Sequence, residues 1–244
     1  MSLAATEPKR SLLIPGLFTL VALAILIGLG TWQVERLSWK EGIIARLEAR
    51  LKAEPEPLPP SADWAKLNLA DEDYRRVRVS GRYEAKEALI FRGSGKVAGQ
   101  TSQPGYWVMG ALRLADGGAV LVNRGFVPLS WKDKPHDLPP GEVTVTGLLR
   151  APEDRNMFTP ADDAAKGQWY TRDPVAIAAA LHIDRAAAFS IDEEAHAAAP
   201  GEPAGGATVI DIPNNHLSYA VTWYGLALTL VGVFTALVWK RRRN

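Results

Sequence analysis

Ser11-Leu-Leu-Ile-Pro-Gly-Leu-Phe-Thr-Leu-Val-Ala-Leu-Ala-Ile-Leu-Ile-Gly-Leu-Gly-Thr-Trp32 runs for 22 residues without a charge. As a helix it reaches roughly 30 Å, the thickness of a bilayer's hydrocarbon core. Near the other end of the 244-residue chain, Tyr219–Trp239 is a second uncharged run of matching length. Between them the composition is that of an ordinary soluble domain, so the near-neutral mean hydropathy hides a very uneven distribution. The sequence predicts a membrane-anchored α+β protein. Residues 1–10 are a cytoplasmic N-terminus, 11–33 and 219–239 two transmembrane helices, 34–218 a β-rich outer domain, and 240–244 a basic cytoplasmic tail.

The first run has some features of a secretory signal, with Lys9 and Arg10 as its basic flank and Gly28 and Gly30 near a weak cleavage site. A signal's apolar stretch is about 7–15 residues, shorter than this one, so it reads as a retained anchor. Lys9 and Arg10 precede the first run, and Lys240, Arg241, Arg242 and Arg243 follow the second. Positive flanks stay on the cytoplasmic side, which puts both termini inside and the middle outside. The net charge of +1 comes from these ends on a mildly acidic middle, which argues against a nucleic-acid partner. With no cysteine there is neither a disulfide nor a thiolate metal site. The reading is a two-pass protein of a bacterial inner membrane, in contact with lipid, with its central domain in the periplasm.

Trp32 and Trp39 fit an interfacial aromatic belt. From Glu35 to Lys52, Leu37, Ile43, Ile44, Leu47 and Leu51 recur at helical spacing, which predicts a juxtamembrane helix continuing the first span. Pro55, Pro57, Pro59 and Pro60 end it in a stiff linker. The centre reads as β, in a small antiparallel barrel- or sandwich-like arrangement. Strands are expected at Arg75–Ser80 and Ala88–Phe91. A hairpin, Tyr106–Leu114 and Ala119–Val127, turns at Ala115-Asp-Gly-Gly118. Further strands are expected at Glu142–Arg150, Ala187–Ile191 and Thr208–Ile212. Residues 92–105 read as a loop and Ala197–Ala207 as a flexible tether. A helix is expected at Pro174–Leu181, with Asp173 as its N-cap.

Gly93-Ser-Gly-Lys96 is not a phosphate loop: Ile90 stands where the first glycine is needed, and Val97 replaces the Ser or Thr. Neither G-x-S-x-G nor H-E-x-x-H occurs, and no two of His136, His182, His196 and His216 lie within four residues of each other. His216 stands out because Pro213-Asn-Asn-His216-Leu-Ser-Tyr219 leads into the second span, where Asn214 or Asn215 can cap the helix. One reading is a solvated interfacial histidine. The other looks at Trp223, two turns on and within about 20° on the same face, with Ala220 and Ala227 near that stripe. A histidine above small residues and an aromatic makes a slot for a flat apolar ligand, and a neutral imidazole there can be an axial ligand to haem iron. Gly225 and Gly232 fall on the opposite face, where small residues let another helix approach. If the first span packs there, the His216 face is left for lipid, ligand or a second protein. In Val122-Asn-Arg-Gly-Phe-Val127, Arg124 among apolar neighbours is expensive unless paired, so it is expected to bind a carboxylate or backbone carbonyls.

Several segments together resemble the surfeit locus protein 1 family of cytochrome c oxidase assembly factors. They are Leu29-Gly-Thr-Trp-Gln33 with Arg36 and Trp39-Lys40; Gly81-Arg-Tyr83; Val122-Asn-Arg-Gly125 with Val127-Pro128; and Pro213-Asn-Asn-His-Leu-Ser-Tyr-Ala-Val-Thr-Trp-Tyr224. Phe126 departs from the family pattern, which has Trp there, and residues 99–108 match it only loosely. The resemblance implies a carrier or chaperone rather than an enzyme. It implies that the chain binds haem a transiently, with His216 as the axial ligand and Trp223 close by, and helps insert it into oxidase subunit I. Subunit I is the implied partner, with haem A synthase as a second. The alternative is a scaffold that holds subunit I during assembly and binds no haem.

Overall fold

A computed structural model of the chain describes residues 12–95, 102–134, 136–195, 201–206 and 213–243. In chain order the elements are α1 (Leu13–Lys52), β1 (Glu56–Pro57), a 3₁₀ turn (Ser61–Lys66), α2 (Leu69–Glu72), β2 (Arg76–Gly95), β3 (Gln103–Leu114), β4 (Ala119–Pro128), a 3₁₀ turn (Leu129–Trp131), β5 (Val143–Arg150), a 3₁₀ turn (Ala164–Lys166), β6 (Gln168–Trp169), α3 (Pro174–Ala180), β7 (Ala186–Glu193) and α4 (His216–Arg243). They fall into two compact units: the chain up to Arg46 together with that from Asp211, and Leu47–Ile210.

The first unit is a helix pair. α1 and α4 are each long and apolar enough to cross a membrane. The apolar run at the start of α1 passes without a break into the amphipathic stretch, as its periodicity predicts. α4 starts at His216, earlier than the uncharged run, and ends in Lys240, Arg241, Arg242 and Arg243, where cations favour the negative end of the helix dipole.

The second unit is a mixed sheet, which corrects the antiparallel expectation. Hydrogen-bonded neighbours run β1–β2–β3–β4–β7–β5, and β5 pairs with β2 as well. β2–β3, β3–β4, β2–β5 and β5–β7 are antiparallel, whereas β1–β2, β2–β6 and β4–β7 are parallel. The parallel β4–β7 pair is possible because the long connection between them carries β5 and α3, and parallel neighbours need such a crossover. The proline stretch is not only a linker: Glu56 and Pro57 pair with Val77 and Arg78, and proline is tolerated on such a short edge.

The strands expected at 75–80 and 88–91 are one strand, β2. Its buried positions are Val77, Val79, Gly81 and Tyr83, then Ala88 and Ile90, so the alternation changes parity. The register shifts between Tyr83 and Glu87. An extra residue in a strand moves all later side chains to the other face, which makes one strand look like two in the sequence. The ends of the expected 92–105 loop are strand instead: β2 extends to Gly95 and β3 begins at Gln103, and residues 96–101 lie outside the described residues. The hairpin turn is where it was expected, with Gly117 at φ 82° and Gly118 N donating to Asp116 Oδ1 at 2.9 Å.

β4 is buried on both faces. Val120 and Val122 join one core with Val77, Val79, Leu112, Val145, Leu149, Phe189 and Ile191. Ala119 and Leu121 join a second with Ile90, Met109, Trp169, Ile177 and Ile183. Ile177 comes from α3, whose start follows the sequence: Pro174 opens it, and Asp173 accepts from Ala176 N at 3.0 Å.

The tether expectation is corrected where the chain is described. Ala204 O accepts from Phe126 N at 3.0 Å, Gly201 O from Asp137 N at 3.2 Å, and Glu193 O from Gly206 N at 3.0 Å. Residues 201–206 are therefore a strap bonded to β4 and β7. Gly125 sits at φ 131°, and a Cβ there would lie 1.9 Å from Ala204 O, so only glycine admits the strap. The expected strand Thr208–Ile212 lies outside the described residues.

Candidate functional site

Asn215 begins α4 through its backbone rather than through the expected side-chain cap. Its carbonyl accepts from Tyr219 N at 3.3 Å and from Ser218 Oγ at 2.8 Å. His216 is then the first helical residue, half-buried, and Trp223, two turns along, is half-buried too. The His216 imidazole is held from α1: Nδ1 lies 2.7 Å from Gln33 Oε1. An amide oxygen only accepts, so Nδ1 donates the hydrogen of this bond, and in a neutral ring Nε2 is then the nitrogen with the lone pair. Gln33 is 9% exposed, one of two buried residues on α1; the other is Gly30. Among the described residues Nε2 has no hydrogen-bond partner.

The two helices meet along a line from Gly16 beside Phe234, through Gly30 and Thr31 beside Tyr224, to Gln33 beside His216. A Cβ on Gly30 would come within 2.8 Å of the Tyr224 ring, and Thr31 Oγ1 lies 3.2 Å from Tyr224 Oη. Ala220 and Ala227, on the same stripe of α4, are buried. Gly225 and Gly232 have nothing within 4 Å of an added Cβ. Of the packings left open, α1 therefore does not use the Gly225/Gly232 face. Close approach is supplied by glycines of α1, not of α4, and the polar pairs Gln33–His216 and Thr31–Tyr224 fix the choice of face. Ala220 and Ala227 therefore do not line an open slot. Trp223 stays beside the stripe.

These residues fit the cofactor that the family resemblance implies. A haem brings four nitrogens of its own, so the protein need supply only an axial donor. A neutral imidazole with Nδ1 occupied and Nε2 bare is such a donor. The other histidines are placed differently. The His136 side chain is fully enclosed, with Nδ1 2.8 Å from Glu87 Oε1 and a buried, unpartnered Nε2. His182 sits at φ 51° just after α3, and its carbonyl accepts from Lys86 Nζ. His196 lies outside the described residues.

The sheet domain has its own concentration of charge, centred on a buried carboxylate. Asp192, 2% exposed, accepts from Arg150 at 2.9 Å, Arg172 at 3.5 Å and Asn123 at 3.1 Å. Arg150 also reaches Asp73, and Glu153 takes Arg92 at 2.8 Å. Burial pushes the Glu153 carboxyl up, but the charge and hydrogen bonds of Arg92, with help from Arg172, hold it below the usual range. Burial lowers the Arg172 guanidinium against the pull of Asp192. Arg124 is buried, donates to the Asp137 carbonyl and lies 5.1 Å over the Tyr83 ring, so it meets the expected backbone carbonyl.

A model of the SURF1 family matches residues 20–228. Surfeit locus protein 1 of Mus musculus is 36% identical over 225 residues, covering 86% of this chain and 71% of that protein. The chain belongs to the SURF1 family. Surfeit locus protein 1 of Homo sapiens is 36% identical over 216 residues, with 82% and 69% covered, and a SURF1-like protein of Monosiga brevicollis 38% over 221, with 84% and 81% covered. The family resemblance was carried by two kinds of segment, and the structure separates them. Val122-Asn-Arg-Gly125 and Gly81-Arg-Tyr83 hold the sheet domain together. Leu29-Gly-Thr-Trp-Gln33 and the segment from Pro213 meet at the His216–Gln33 bond. Gln33 ends the first of these segments, and the sequence around it assigns it no role. Nothing local marks it, because its partner is 183 residues away.

Proposed function

We infer that this SURF1-family chain serves the assembly of a haem-copper oxidase by holding haem a and delivering it to subunit I. His216 would hold the haem iron through Nε2, with Trp223 beside it. The observation that carries this reading is the 2.7 Å bond between His216 Nδ1 and Gln33 Oε1, which leaves Nε2 as the donor. When bound, haem would offer an iron able to take that nitrogen. The chain's own part is to bind and orient, as a carrier and not as an enzyme. Haem A synthase is the natural source of the cargo, since it makes haem a. Both termini lie in the cytoplasm of a bacterial cell and the sheet domain in the periplasm, because the basic residues flank the outer ends of the two apolar helices.

The test is the protein purified from cells that make haem a. It should carry the absorption bands of haem a, and His216→Ala should lose them while still accumulating. Trp223→Ala should lose fewer, and Trp223→Phe fewer still, since these remove packing and not coordination. Full haem on His216→Ala rejects the site, and no haem on the unmutated protein favours a scaffold that holds subunit I without cofactor. Topology is tested in the same cysteine-free chain. Met157, 88% exposed, changed to Cys should react with an impermeant thiol reagent added outside, and a cysteine appended after Asn244 should not.

A further inference from the structure

Resting on the reading that His216 is the axial ligand, we propose that Gln33 is its positioning residue: the amide oxygen selects the tautomer that leaves Nε2 bare. A neutral imidazole has two tautomers, and in free histidine in water the one protonated at Nε2 predominates. That form has no lone pair at Nε2 to offer a metal. Gln33 Oε1, 2.7 Å from Nδ1, reverses the preference by accepting the Nδ1 proton. An acceptor this buried loses free energy if its donor leaves, so the same bond fixes the ring's orientation. Gly30 against the Tyr224 ring and Thr31 against its hydroxyl, a turn or less from Gln33, hold the helices at the spacing that the bond requires.

The kind of acceptor matters as much as its position. A carboxylate would pull the Nδ1 proton harder, make the imidazole more anionic and strengthen the bond from Nε2 to iron. A neutral amide orients the ring without that strengthening. A ligand held in place but only moderately basic suits a carrier that must give its cargo up.

The tautomer is read directly by nitrogen NMR of the full-length protein in detergent, free of haem, with labelled histidine and the His216 signal identified by its loss in His216→Ala. The unmutated protein should show Nδ1 protonated and Nε2 bare. Gln33→Leu should move His216 toward the Nε2-protonated form, and Gln33→Glu should keep the native tautomer. Haem is then added, with ferric haem b as the probe. Gln33→Leu should bind it roughly 10- to 100-fold more weakly, the usual loss when the partner of a ligating histidine is removed. Gln33→Glu should retain it with a lower midpoint potential, a shift that a purely structural role would not produce. A bare Nδ1 in the unmutated protein, or an unchanged tautomer in Gln33→Leu, overturns the proposal and leaves His216 standing as a ligand. Absence of haem on the unmutated protein overturns the reading beneath it, while the haem-free spectra still decide whether Gln33 sets the tautomer.

Discussion

The sheet domain and the helix pair both bury polar side chains, and they do it in opposite ways. In the sheet domain Asp192, Arg150, Arg172, Glu153 and Arg92 form a chain of ion pairs, and Arg124 reaches a backbone carbonyl. In the helix pair the buried polar residue among those described, Gln33, bonds to His216 without any ion pair. A charge sunk in a core must be matched by partners, and once matched it is occupied. A neutral imidazole bonded at one nitrogen keeps a donor at the other. The domain's charges are therefore committed to its fold, whereas the helix pair retains a group able to bind something else.

That contrast can be broken at its strongest point by Asp192→Leu, which leaves Arg150 and Arg172 together in the core without their shared counter-charge. Removing one partner of a buried ion pair costs about 3–5 kcal/mol, so little folded protein should survive, measured as abundance and thermal unfolding of the purified chain. A stable variant would mean that the charges are not what holds the domain. Gly125→Ala should cost roughly 2–3 kcal/mol, since its backbone conformation and the Ala204 carbonyl both oppose a side chain. Faster proteolysis at 201–206 would report release of the strap. Arg124→Gln should cost about 1–3 kcal/mol and lower the amount of folded protein. Normal abundance with failed oxidase assembly would instead make Arg124 a contact site.

Acid gives a milder probe of the same network. The Glu153 carboxyl is held below its ordinary value, so its contribution to stability is complete above the unfolded value of about 4.3 and disappears as pH falls through the lower folded value. The unfolding temperature should drop below about pH 4, and Glu153→Gln should flatten that drop. The smallest effect on stability is expected at the site itself. His216→Ala removes a helix–helix hydrogen bond and leaves the Gln33 oxygen without its donor, a loss of about 1 kcal/mol, so unfolding should change little while haem is lost. A large destabilisation there would place His216 with Asp192 as a structural group and erase the contrast.

How far each part could be read in advance follows the same division. The two apolar helices are properties of consecutive residues, because the absence of charge over a bilayer's thickness is counted along the chain. So are the start of α3 at Asp173-Pro174 and the hairpin turn at Asp116-Gly-Gly118, where local hydrogen bonds and glycine dihedrals settle the conformation. Family membership was legible for a related reason, since its motifs are short and quoted intact. β2 was misread as two strands because its register shift reverses the alternation on which strand recognition depends. The parallel pairing of β4 with β7 and the strap over Gly125 join residues far apart in sequence, and no local pattern encodes them.

The site divides in the same way. His216 could be singled out from sequence, being a lone histidine at the mouth of an apolar helix with Trp223 two turns along. The face of α4 that meets α1 could not, because glycines on either helix allow close approach and only the packed pair shows that Gly30 and Gly16 are the ones used. Gln33 is the clearest case. By itself it is a polar residue near the end of an apolar run, and it acquires a role only when α4 brings His216 to 2.7 Å. The sequence by itself determined which residues must leave water and which side chain has metal-binding chemistry, since both are properties of the residues themselves. Only the tertiary structure decided which group the imidazole Nδ1 bonds to, because a hydrogen bond depends on the distance between two atoms that the chain holds 183 residues apart.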